Sequence, residues 1–100
     1  MNEKKLTSKQ KRFLKQQSHH IKPIMQMGKE GASVMFITEL LDQLEHHELL
    51  KVRVLNNCEW EKKDIETALT NAEITLVQKI GHVLTVYKES EERPEITLPS

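Results

Sequence analysis

The stretch "MQMGKEGASVMFITELLDQLEHHELLKVRVL", residues 25–55, holds a strand, a glycine loop, a helix and a second strand in succession. Its far end is the clearest. In "LLKVRVL", residues 49–55, Leu50, Val52 and Val54 point one way and Lys51 and Arg53 the other, a strand with one basic face. Ahead of it, Ser33 is positioned to cap a helix running to about His46. Val34, Ile37, Leu40, Leu41 and Leu44 form its predicted inward stripe, with Glu39, Asp42 and Glu45 outside. "PIMQM", residues 23–27, reads as a short strand that runs into a loop bounded by Gly28 and Gly31.

Outward from this unit the pattern continues. Thr7 or Ser8 caps a first helix to about His19. At 100° per residue, Leu6, Phe13, Leu14 and Gln17 gather on one side. Lys4, Lys9, Lys11, Arg12, Lys15 and His19 spread over the opposite half. Pro23 stops that helix and biases residue 22 toward extended backbone. After the second strand, Asn56, Asn57 and Cys58 make a turn, and Glu59, Glu61 and Asp64 suit the positive end of a third helix. Ile65, Ala68, Leu69 and Ala72 are its predicted buried stripe. "ITLVQKIGHVLTVYK", residues 74–88, reads as a hairpin in which Gly81 takes positive φ and Ile80 pairs with Val83. Both hairpin faces carry apolar residues, so each needs cover that the sequence does not identify. The tail after Lys88 is polar and expected to be loosely held, with "EITL" able to dock as an extended segment. The order α-β-α-β-α-β-β predicts an α/β fold, a small mixed four-stranded sheet with three helices packed on it. One domain over residues 1–100 is expected, with its core at about 6–88 and a polar tail at 89–100.

Composition narrows the function classes. Apolar content of 37% and charged content of 30% fit a soluble globular chain able to bury one modest core. No apolar run approaches the roughly 18 residues of a membrane span, and no hydrophobic segment follows the basic N-terminus as a secretory signal would. The lone Cys58 excludes an internal disulfide and a cysteine metal cage, so a cytoplasmic setting is expected. Net charge is zero, yet residues 1–29 carry +7 and the rest −7. A basic pole invites a polyanion, and an acidic remainder discourages indiscriminate adhesion.

The chemistry follows that asymmetry. Gly28 and Gly31 allow close backbone approach, and the amides opening the second helix point toward the same loop. Lys29 adds a charge at the tip, making a phosphate clamp of the GXXG kind. Taken alone, four residues fit a plain strand-to-helix turn at least as well, and Glu30 must point to solvent for the clamp to work. The +7 segment that leads into the loop moves the balance to nucleic acid. "EHHE", residues 45–48, and His19–His20 lack metal-ligand spacing, since adjacent helical residues diverge by about 100°; no metal or other cofactor is expected. No nucleophile elbow or P-loop lysine signature occurs, so the chain is read as a non-enzyme with no small-molecule substrate. Trp60 is placed at the edge of the core rather than as a ligand platform.

Three segments then carry a resemblance: "LTSKQKRFLKQQSHHIKPIMQMGKEGAS", "LEHHELLKVRVLNNCE" and "LVQKIGHVLTVYKES". Over about residues 6–88 the chain resembles the CRM domain family, named for chloroplast RNA splicing and ribosome maturation, in its bacterial stand-alone YhbY-type form. The resemblance implies a four-stranded mixed sheet similar to the C-terminal domain of bacterial translation initiation factor three. It also implies RNA binding through the GXXG loop, and association with ribosomal RNA in precursors of the large ribosomal subunit, hence a role in ribosome assembly. By position the loop is Gly28, Lys29, Glu30 and Gly31. Charge geometry adds Lys9, Lys11, Arg12, Lys15, His19, Lys22, Lys51 and Arg53. A protein-interaction adapter using the acidic second and third helices is the alternative.

Overall fold

The computed structural model describes residues 6–100; Lys4, assigned above to the cationic half of the first helix, lies outside the described residues. The elements are α1 (Ser8–Gln17), β1 (Met25–Met27), α2 (Val34–His47), β2 (Leu49–Val54), α3 (Lys62–Asn71), β3 (Thr75–Ile80) and β4 (Val83–Tyr87), with a 3-10 turn over Ser18–His20 after α1. The sheet order is β1-β2-β4-β3. β1 runs parallel to β2, with Met25, Gln26 and Met27 opposite Val52, Arg53 and Val54. The other two pairings are antiparallel. This is the expected mixed four-stranded α/β architecture.

Local chemistry explains the element ends. Thr7 caps α1 through a reciprocal box, in which Gln10 N–H donates to Thr7 Oγ1 and Thr7 N–H to Gln10 Oε1. Ser33 Oγ accepts from Phe36 N–H at 3.1 Å and starts α2. Gly81 has φ +58° and His82 does not have positive φ, the pattern of a type II′ hairpin, with Ile80 opposite Val83. A register shift between Leu76 and Gln78 bulges β3 and turns Val77 toward α1.

Strand alternation divides the core in two. Leu50, Val52, Leu84 and Val86 face α2 and α3, meeting Leu40, Leu44, Ile65 and Leu69. Leu49, Val77 and Tyr87 face the other way and are sealed by Leu14 of α1, which is fully buried. Each hairpin face thus has its cover: α3 on one side, α1 with Ile96 and Leu98 of the tail on the other. Two inward assignments fail. Gln17 is exposed and Ser18 buried, because α1 tightens into the 3-10 turn there and Ser18 Oγ donates to Lys15 O. Val34 is 84% exposed although Ala32 before it and Phe36 and Ile37 after it pack on the core, because it lies about 80–120° round the axis from Leu44 and Leu40, at the margin of the stripe.

Residues 89–100 form no helix or strand, yet they are held by two carboxylates. Glu48, at the junction of α2 and β2 with φ +62°, is 2% exposed. Its side chain accepts the N–H groups of Ser90, Glu95 and Ile96 at 2.8–2.9 Å. Glu45 accepts Glu91 and Glu92 N–H and the Ser90 hydroxyl. "EITL" therefore docks, while the polar residues before it are fixed by backbone donors that no side-chain pattern announces. The Glu91 N–H first, then the Ser90 hydroxyl and the Glu92 N–H, hold the Glu45 carboxyl below its ordinary 4.5. Burial, followed by the nearby Glu48 and Glu89 charges, pushes the Tyr87 phenol up to about 12.

Glu48→Ala removes the acceptor of three hydrogen bonds and should lower unfolding free energy by about 2–4 kcal/mol in urea titration; unchanged stability would mean the tail contributes nothing. Because the Glu45 pKa is depressed, its contribution is complete above the unfolded-state value and is lost as pH falls through the folded one. Amide protection factors at Glu91 and Glu92 should accordingly drop below pH 4.5 and hold at neutral pH.

Candidate nucleic-acid interface

The parallel β1–β2 pair determines where the glycine loop emerges. Met27, fully buried, ends β1, and its carbonyl accepts Leu55 N–H at 2.9 Å. The chain then reverses in a β-turn closed by Gly31 N–H donating to Gly28 O at 3.0 Å. Lys29 and Glu30 form the exposed tip. Two residues later Ser33 opens α2, so the first-turn amides and the positive end of that helix lie beside the turn.

The two glycines have different reasons to be glycine. Gly31 has φ +61°, and a Cβ there would overlap the indole Cγ and Cδ1 of Trp60. Both backbone conformation and packing require it. Gly28 has negative φ, and its Cβ would lie 3.7 Å from Asn57 Oδ1 and 3.8 Å from Leu55 Cδ1, ordinary contact distances. The fold does not demand glycine at position 28. The plain-turn explanation therefore accounts for one glycine and leaves the other open.

The cationic residues fall into three groups. Lys9, Lys11, Arg12 and Lys15 are all exposed on α1, and His19 is exposed in the 3-10 turn. Around the α1 axis Lys11, Lys15 and Arg12 span about 100°, Lys9 lies about 60° beyond Arg12 on the side away from Leu14, and Lys11 is the cation nearest Leu14. Lys51 and Arg53 share the sheet face that α1 packs on, since they alternate in phase with Leu49. Lys51 is half-buried and Arg53 exposed. Arg53 stands opposite Gln26 in the β1–β2 register, one residue from the base of the glycine turn. Lys22 is exposed on the connection between the 3-10 turn and β1. The structure thus brings α1, Lys51 and Arg53 to one face and places Arg53 beside the loop. Among the described residues, the one ion pair within 4.0 Å joins Lys62 to Glu66, so no carboxylate neutralises these cations at that range.

Sequence reasoning did not find the contact that Trp60 makes. Its ring rests on Gly31, yet the residue is 37% exposed. Val34 and Met35, both more than 80% exposed, stand on the first turn of α2. A contact spanning 29 positions leaves no local signal.

Comparison with known proteins adds an independent line. The CRS1 / YhbY (CRM) domain pattern matches residues 6–88. The chain is 47% identical over 95 residues to "Probable RNA-binding protein YqeI" of Bacillus subtilis, covering 94% of this chain and 99% of that one. It is 38% identical over 95 residues to a protein of Haemophilus influenzae named "RNA-binding protein", covering 94% and 95%. The solution structure of hypothetical protein SAV1595 from Staphylococcus aureus superposes with a TM-score of 0.76 at 45% identity, covering 95% of this chain and all of that one.

The glycine pair makes a direct test. Gly31→Ala should destabilise the fold by about 2 kcal/mol or more, from backbone strain and displacement of the Trp60 ring. Gly28→Ala should change stability by less than about 0.5 kcal/mol. Equal losses in thermal melts of the two variants would contradict the division.

Proposed function

The chain belongs to the CRS1 / YhbY (CRM) domain family, and on that premise we propose that it is a non-enzymatic protein binding ribosomal RNA in precursors of the large ribosomal subunit. The observation that carries this reading is the run of exposed cations with no carboxylate partner within 4.0 Å among the described residues, from α1 through Lys22 and Arg53 to a turn tipped by Lys29. Relatives named as RNA-binding proteins support it. In this reading the α1 cations, with His19, Lys51 and Arg53, attract the phosphate chain. The Gly28–Gly31 turn and the start of α2 seat one phosphate against backbone amides, and Glu30 turns to solvent. No bond is made or broken. The protein holds a folding intermediate of the RNA in the cytoplasm while the subunit assembles. An adapter role for the acidic helices is less favoured, because Glu45 and Glu48 are already occupied by the tail.

Contact with some six phosphates gives a slope of log affinity against log salt of about −4 to −5.5. RNA titrations at several salt concentrations measure it; a flat response refutes the electrostatic attachment. Lys29→Glu should weaken binding and leave the melt nearly unchanged, since the side chain is exposed at a turn tip. Sedimentation of tagged protein through a ribosome gradient should place it with free large-subunit precursors. A partner retained after nuclease treatment would favour the adapter instead.

A further inference from the structure

Trp60 has no role in the reading above beyond its packing on the glycine turn. An indole left 37% exposed gives up much of the burial that makes tryptophan valuable in a core. It is nonetheless held in place. The ring occupies the space where a side chain at position 31 would begin, flat against a backbone that only glycine can present at φ +61°. One side of the ring is thereby fixed to the last residue of the glycine turn, and the exposed remainder faces water.

The surroundings of the ring select the chemistry of what it contacts. Val34 and Met35, 84% and 83% exposed, follow Gly31 by three and four residues on the first turn of α2 and add exposed apolar side chains to this end of the helix. Glu59 and Glu61 flank Trp60 in the chain and are both exposed, so a phosphate is unwelcome over the ring itself. Cations lie instead at Lys29 and across the sheet at Arg53. A neutral, flat, apolar-faced group joined to a phosphate fits this arrangement: the phosphate at the turn, the flat group on the indole. That description is a nucleotide with its base unstacked from its neighbours.

We propose that Trp60 is a stacking platform for one unpaired base of the RNA whose backbone the glycine turn holds, so that the chain prefers single-stranded or looped RNA over an uninterrupted duplex. The inference rests on the RNA-binding reading and adds the class of RNA to it. In an A-form duplex the base faces are covered by their neighbours, and no indole can reach them without unstacking. Aromatic stacking is tolerant of base identity, so the platform selects strandedness rather than sequence.

Trp60 is the one tryptophan in the chain, so tryptophan fluorescence reports this position alone. A short single-stranded RNA and a blunt duplex of the same sequence are titrated separately, following both RNA-label anisotropy and Trp60 emission. The platform requires that single-stranded RNA quench the emission as it binds and that the duplex bind without quenching. Trp60→Leu, which keeps apolar cover over Gly31 but has no π face, should weaken single-strand binding about tenfold. Trp60→Phe should retain most of that affinity, and neither change should alter duplex affinity. Rising anisotropy with unchanged emission, together with unaltered affinity in Trp60→Leu, overturns the platform and leaves the phosphate contacts standing. No rise in anisotropy with either RNA overturns the RNA-binding reading, and the platform with it. Should Trp60→Leu lose its fold, the quench in the unaltered chain still decides.

Discussion

The parallel pairing of β1 with β2 is the constraint from which the rest of the molecule follows. Two parallel neighbours cannot be joined by a hairpin; the chain must return the length of the sheet before starting again. α2 makes that return, so its N-terminus lies at the end of the sheet where β1 stops and its C-terminus where β2 begins. The glycine turn is the hinge of this crossover. Its place beside the positive end of a helix is a consequence of topology, not a separate feature. The same pairing fixes Arg53 opposite Gln26, which is why a strand cation stands next to the turn.

The crossover also sets the glycine turn apart from Glu45 and Glu48. At one end of β2 lie the turn and the free start of α2; at the other lies Glu48, with Glu45 one helical turn earlier. Six strand residues put roughly 17 Å between these ends, more than a Debye length of about 8 Å at physiological ionic strength. A charge bound at the turn is therefore screened from Glu45 and Glu48. The acids are not simply remote. Glu45 and Glu48 spend their acceptor capacity on backbone N–H groups of the tail, and the tail in turn brings Ile96 and Leu98 against the α1 side of the sheet. The acidic end thus helps to fix the helix that carries the cations.

Features carried by neighbours in sequence were legible. The alternation of residues 49–55, the Ser33 cap and the Gly81 turn are each decided within a few positions, and the element order and mixed sheet followed from them. Features decided by where an element stops were not. Val34, the first residue of α2, lies at the margin of its stripe and stays exposed, and Gln17 obeys the period of α1 at the residue where α1 tightens. Features decided by distant contacts left no trace at all. Nothing near Trp60 indicates that its ring covers Gly31, and nothing in "ESEERPEITLP" indicates that its backbone amides satisfy two glutamates. Within the candidate site, the charge of residues 1–29 was legible, while the difference between Gly28 and Gly31 required coordinates.

That last point bears on how the turn works. Its tip carries Lys29 and Glu30, whose formal charges cancel, so on the proposed reading it cannot be the source of long-range attraction. In a β-turn the amide of the fourth residue closes the loop, and the amides of the two central residues are left unengaged by it. Together with the opening amides of α2 they offer oriented dipoles, which act over a few ångströms and discriminate position far better than they attract. Attraction then belongs to the α1 cations and seating to the turn. A bare backbone at position 28 serves the second task, because amides can close on a phosphate only where no side chain stands in the way. On the proposed reading, a glycine that the fold could spare, beside one that it could not, is the arrangement expected of a turn shaped from both sides, by the indole beneath it and by a phosphate above.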